Sequence, residues 1–112
     1  MPKGEFLGEF EIYVLLAVKR LADEAYGIAI RRAIESRTGR ETAIGAVYAT
    51  LGRLEDKGLV RYAVSQPQPV AGGRARKCYT LTPAGERGLS HSTKMLTRMM
   101  TDAAATTTGR AR

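Results

Sequence analysis

Along this chain, four stretches carry apolar residues every three to four positions, and two short ones carry them at every second position. From Glu5 to Leu21, Phe6, Phe10, Tyr13, Val14, Ala17 and Leu21 recur at helical spacing, while Leu7, Ile12, Leu15, Leu16 and Val18 fill most of the remaining circumference. A helix that is apolar nearly all round must be covered nearly all round. In so small a domain a second subunit is the simplest cover, which makes Phe6, Phe10, Ile12 and Leu16 interface candidates. The pattern predicts a second helix over Ala25–Arg37, with Tyr26, Ile30, Ala33 and Ile34 on one face, Arg31, Arg32 and Glu35 on the other, and Gly39 as its left-handed stop.

Thr42 reads as the N-cap of a third helix, its hydroxyl accepting from an unpaired amide of the first turn. Ile44, Val47, Tyr48, Leu51 and Leu54 then form a single apolar face, and Gly58 ends the helix. The opposite face holds Gly45, Ala46, Ala49, Thr50 and Gly52 beside Arg53, where a solvated helix would carry Glu, Lys and Gln. Leu59–Val64 alternates as a strand, "SQPQPVAGGRAR" reads as an exposed loop, and "KCYTLT" alternates again and pairs back antiparallel. Thr82 followed by Pro83 is an N-cap with proline at the first helical position. The last helix is predicted to run to about Ala104. Its Leu89, Ser92, Leu96, Met99 and Ala103, widened by Met95 and Met100, follow the alternating three-and-four spacing of a two-helix contact. Leu89, Leu96, Met99, Met100 and Ala103 are therefore the second half of the candidate subunit interface.

The resulting order is helix, helix, helix, strand, basic loop, strand, helix. It is mainly α with a small β-hairpin: a winged helix-turn-helix over residues 1–82, a C-terminal dimerisation helix over 83–104, and a disordered tail over 105–112. A length of 112 residues is one domain with a modest core.

Charge turns this outline toward a partner. Eighteen Lys and Arg against eleven acids give +7, which favours a polyanion, and nucleic acid before an anionic membrane surface. The single cysteine, Cys78, excludes an internal disulfide and fits a reducing compartment. No apolar run approaches the ~18 residues of a spanning helix, so the chain reads as soluble and cytoplasmic. His91 is the only histidine and stands at no metal-ligand spacing. With no Ser/His/Asp set, paired carboxylates or phosphate-cradling glycine loop, neither an enzyme nor a cofactor is expected.

The small face of the third helix is the residue pattern that groove insertion needs. The DNA major groove is about 12 Å wide, and long side chains would hold a helix away from the base edges. Gly45, Ala46, Ala49, Thr50 and Arg53 would then face duplex DNA, with Thr42 at the helix end, where free amides favour phosphate. The competing reading, in which the small residues pack against another helix, is weakened by the basic hairpin that follows: Arg74, Arg76 and Lys77 sit beside flexible glycines, suited to a phosphate backbone or minor groove.

"YGIAI", "GAVYATLGRLEDKGLV" and "GGRARKCYTLTPAG" occur in this order, and over roughly Phe10 to Leu89 the chain resembles the PadR-like family of bacterial transcriptional regulators. The resemblance implies a homodimer on a pseudo-palindromic operator, usually as a repressor, with the single C-terminal helix of the short subfamily packed against the partner's first helix. It implies that Tyr48, Thr50 and Arg53 face or adjoin DNA; the spacing of Tyr48 also puts its ring on the apolar stripe, with its hydroxyl free to reach phosphate. Ala49 stands where the family usually has proline. Some short members bind planar aromatic effectors between subunits by stacking on tryptophan, and this chain has none. A small-molecule effector and, in another class, a winged-helix adaptor whose basic wing binds an acidic protein are the alternatives to a simple repressor.

Overall fold

The computed structural model describes residues 6–65 and 75–110, with side chains up to residue 101. Helix α1 spans Glu9–Leu21, and a single 3-10 turn over Ala22–Glu24 leads to α2, Gly27–Thr38. Helix α3 follows at Ile44–Asp56, then strands β1, Val60–Val64, and β2, Lys77–Leu81, and finally α4, Pro83–Arg110. The two strands are antiparallel, with Val60 opposite Leu81, Tyr62 opposite Tyr79 and Val64 opposite Lys77. The core lies where α1, α2 and α3 meet the inner side of the hairpin: Val14, Leu15, Val18, Ile30, Val47, Leu51 and Leu54 are sealed there, closed below by Val60, Tyr79 and Leu81.

Helix ends follow local chemistry. α1 begins at Glu9, because the extended Gly8 is its N-cap and the Gly8 amide donates to the Glu11 carboxylate at 2.9 Å. α2 ends on left-handed Gly39, whose amide donates to the Glu35 carbonyl at 2.8 Å. At the end of α3, Gly58 has φ +76°; its amide bonds the Glu55 carbonyl and the Leu59 amide bonds the Leu54 carbonyl, the paired closure that turns the helix directly into β1.

The foot of α4 is closely tied to the turn that leads into β1. The Thr82 hydroxyl accepts from the Gly85 amide at 3.0 Å and donates to the Gly58 carbonyl at 2.6 Å, while the Thr82 amide donates to the Leu59 carbonyl at 3.0 Å. The predicted Thr82–Pro83 helix start is thus seen, and it ties the foot of α4 to the C-terminal end of α3.

Two expectations change here. The α4 backbone stays helical to Arg110, past the expected end at Ala104 and into the stretch read as disordered; Ala103–Ala105 are the strongest helix formers available, and the threonines after them are tolerated. Residues 111 and 112 and the Ala103 side chain lie outside the description. Leu89, assigned to the subunit interface, is only 4 % exposed and belongs to its own protomer's core, because the first turns of α4 dock on that core. Phe10 and Ile12 are half-buried against the same core, whereas Phe6, Leu16, Leu96, Met99 and Met100 are exposed.

One buried acid couples α1 to α3. Glu11 accepts from Lys57 Nζ at 2.8 Å. Burial opposes its ionisation, but the Lys57 and Gly8 hydrogen bonds and the nearby Lys57 and Arg53 charges hold its carboxyl below the usual glutamate value. A depressed folded-state pKa contributes stability above the unfolded pKa and loses it as pH falls through the folded one. Glu11→Gln should therefore cost about 1–2 kcal/mol at neutral pH, with a smaller deficit at about pH 3 than at neutral pH. Urea unfolding of both proteins at the two pH values checks this; a deficit that is equal at both would contradict it.

Candidate nucleic-acid interface

Helix α3 is held by its apolar face and left open on the other. Val47, Thr50, Leu51 and Leu54 are buried, whereas Gly45, Ala46, Ala49, Gly52 and Arg53 are exposed. Among the described residues, a Cβ built on Gly45 or Gly52 would meet no heavy atom within 4 Å. The small face is therefore open in the protomer, not packed against a neighbouring helix.

Thr42 and Thr50 depart from their expected places. Thr42 is buried, its hydroxyl donating to the Arg40 carbonyl at 3.1 Å and its amide to Glu35 Oε2 at 2.9 Å. The capping position passes to Ala43, which has no side-chain acceptor, so no side chain caps the first turn of α3. Glu35, on the preceding helix, thus fixes the turn into α3. Thr50 is 1 % exposed and accepts from Arg53 Nη2 at 3.0 Å; it belongs to the core face and not to the open one. The helical wheel explains this. At about 100° per residue Thr50 lies about 40° from Leu54, and Tyr48 about 120° from it. Thr50 completes the buried stripe and Tyr48 is turned out of it, about half exposed.

Tyr48 rests on the start of α2. A Cβ at Gly27 would collide with the Tyr48 Cζ and hydroxyl oxygen, so space, not backbone conformation, requires glycine there. Gly27→Ala should swing the phenol outward with little unfolding, since the obstacle is the free end of a side chain. The unfolding free energy should stay within about 1 kcal/mol of wild type while the Tyr48 ring resonances move in an NMR spectrum; unmoved resonances would refute the contact.

The hairpin completes the site. The Tyr79 amide donates to the Ala25 carbonyl at 2.9 Å, fastening β2 to the α2 entry. Burial first, then the charge of Glu55 and the neighbouring Tyr48 and Tyr62, push the Tyr79 hydroxyl's pKa up. The Arg76 guanidinium lies 4.2 Å over the Tyr26 ring, and Lys77 Nζ lies 4.3 Å over the Tyr62 ring. Between α2, α3 and the wing opens a cleft of about 600 Å³ lined by Tyr26, Gly27, Arg32, Tyr48, Arg76 and Lys77 among others. Arg74 lies outside the described residues. The structure thus brings Tyr48, Arg76 and Lys77 to one cleft beside the open face of α3. It adds Tyr26, Gly27 and Arg32, which are absent from the sequence-derived set. "YG" at 26–27 was the available signal, but its cause is a contact 21 residues away in sequence.

Three packed helices, an outward third helix and a hairpin with basic residues at its far end define a winged helix-turn-helix domain. The chain belongs to the PadR-like family of transcriptional regulators, whose model matches residues 14–91. That is a family of regulators, not of enzymes. A transcriptional regulator of Mycobacterium tuberculosis, Rv3488, is 44% identical over 61 residues, 54% of this chain and 53% of the relative. The matched segment thus spans about half the length of that curated relative. A PadR family transcription regulator of Clostridium difficile R20291 is 26% identical and superposes with a TM-score of 0.72 over 88% of this chain and 97% of that one. Bacillus subtilis PadR, solved with operator DNA, is similar in fold at a TM-score of 0.59 and 20% identity, over 73% of this chain and 46% of that one.

Proposed function

We propose that the protein is a dimeric, sequence-specific DNA-binding repressor of the cytoplasm. The observation that carries the reading is the open small face of α3, Gly45, Ala46 and Ala49, flanked by Arg53 and by the cation-lined cleft that ends at Arg76 and Lys77. Such a face fits a groove about 12 Å wide, and the uncapped first turn of α3 leaves amides free for phosphate. Tyr48, Arg76 and Lys77 would hold the backbone beside the groove, and Arg53 would reach the base edges. The operator complex of the Bacillus subtilis relative supports DNA as the partner.

Dimerisation rests on exposed apolar surface. Leu96, Met99 and Met100 line one side of α4 and are exposed in the protomer, and a groove of about 300 Å³ between α1 and α2 is lined by Tyr13, Leu16, Ala17, Ala33 and Ile34 among others. A second copy's α1 and α4 would close both. Two-fold symmetry then sets the α3 helices about 34 Å apart, one DNA turn. Among the described residues no helix is long and apolar enough to cross a membrane.

Selection of bound sequences from random duplex DNA, with sedimentation of the free protein, tests the proposal. A paired half-site motif bound by a dimer is expected, with affinity falling steeply as salt rises. Recovery of no motif, with capture of acidic proteins in its place, would favour the adaptor reading and end this one.

A further inference from the structure

Helix α4 has a second face, apart from the one proposed above for the dimer. Arg87, His91, Lys94 and Arg98 are all exposed and follow one another at spacings of four, three and four residues. On a wheel of about 100° per residue they fall within about 60° of one another, roughly opposite Leu89, Leu96 and Met100. Between residues 83 and 101 of α4 the sole acid is Glu86, and Lys19 of α1 already neutralises it at 2.8 Å. Solvated helix faces usually alternate charge at four-residue spacing, because like charges there weaken the helix. Here Lys94 and Arg98 stand four apart, with Arg87 on the same face and no anion between them. Two shallow depressions follow the ridge. One of about 490 Å³ is lined by Lys19, Glu86, Arg87, Ser90, His91 and Lys94, and one of about 320 Å³ by Thr93, Lys94, Thr97 and Arg98. The exposed Ser90 and Thr97 add hydroxyl donors to the cations.

We propose that this ridge is a second DNA-backbone surface, through which the protein engages a duplex segment other than the one held by α3 and the wing. Charge complementarity selects the occupant. Arg87 to Arg98 spans about 16 Å along the helix axis, and one DNA strand presents a phosphate about every 3.4 Å of the duplex axis. The ridge is therefore as long as the axial rise of about five phosphates of one strand, with no aromatic or apolar group among its side chains to read a base. Position separates the two surfaces. Hydrogen bonds from Thr82 fix the foot of α4 at Gly58 and Leu59, beside the Val60–Leu81 end of the hairpin. The wing cations begin at the Val64–Lys77 end, about 14 Å away along the strands. The depressions along the ridge share no lining residue with the cleft beside Tyr48.

The test uses the full chain, donor- and acceptor-labelled 24-bp duplexes of random sequence, and two variants. One is the ridge triple Arg87→Gln, Lys94→Gln, Arg98→Gln; the other is the wing-face pair Arg53→Ala, Arg76→Ala. Wild type should bring the two duplexes together in low salt, read as energy transfer. The ridge triple should need at least tenfold more protein to do so, with a log–log salt slope for bridging smaller by about 2.7 per protomer, while binding a single duplex within twofold of wild type. Bridging by the triple at wild-type concentrations, or none by wild type, overturns the proposal. So does an equal loss of single-duplex binding in both variants, which would make the ridge part of one continuous site. Capture of phosphatidylglycerol vesicles without a second duplex would overturn the choice of DNA. If the wing-face pair binds a single duplex as wild type does, the function proposed above fails, and the ridge is still judged on bridging alone.

Discussion

Gly85→Ala will destabilise the protein by about 2–4 kcal/mol, the largest stability loss expected of a change to alanine at any of the described glycines. Two effects oppose each other. Alanine is the better helix former by up to about 1 kcal/mol, and Gly85 lies in the first turn of α4. Its new Cβ, however, would be driven into the Leu59 carbonyl oxygen, with the Leu59 carbonyl carbon at 3.0 Å behind it. That carbonyl cannot rotate away, because it accepts the Thr82 amide at 3.0 Å and belongs to the turn that follows left-handed Gly58. The helix must therefore lift off β1 and break the Thr82 hydrogen bonds to Gly85 and Gly58. Gly88 is the internal control: a Cβ there meets nothing within 4 Å among the described residues, so Gly88→Ala should be neutral or stabilising by up to about 1 kcal/mol. Urea denaturation of the two variants beside wild type decides the matter. Equal stability of Gly85→Ala and Gly88→Ala would show that α4 is not seated as described.

That junction also shows where the sequence was legible. Thr82 before Pro83, Gly39 after α2 and Gly58 after α3 are local signals, and each marks the boundary it predicts, because cap and stop chemistry is settled within a few residues. The order of elements was legible for the same reason: the periods of the apolar residues differ between helix and strand. What failed was decided at a distance. Thr42 looks like an N-cap by type and position, but a carboxylate seven residues earlier takes its amide and buries it. Thr50 and Tyr48 exchanged faces because a polar residue can complete a buried stripe when a neighbour, here Arg53, supplies its hydroxyl with a partner. Leu89 continues the spacing of Leu96 and Met99, yet periodicity does not say whether a seam is closed by its own chain or by another. Only packing shows that α4 leaves its protomer's core after its first turns. The open face of α3 was legible as composition; that it stays open in the protomer required the fold.

The largest functional effect follows from that open face. Ala49→Glu should abolish measurable specific binding, lowering duplex affinity at least a hundredfold, because a carboxylate pressed toward phosphate and acceptor-rich base edges costs several kcal/mol. The fold should not notice. Ala49 is exposed, and glutamate loses only a few tenths of a kcal/mol of helix propensity to alanine. Loss of binding with an unchanged unfolding curve therefore isolates the interface from stability. Thr50→Val, one residue along, should do the reverse. Its hydroxyl is buried and bonds only Arg53 among the described residues, so stability should shift by about 1 kcal/mol while affinity falls less than tenfold. A face assigned from small residues alone would predict equal losses for both positions; the structure predicts opposite ones. Fluorescence anisotropy with a selected duplex, alongside denaturation curves, separates them. Wild-type affinity in Ala49→Glu would mean that α3 does not enter the groove, since no rearrangement of an exposed glutamate at this position would spare a helix already inside it.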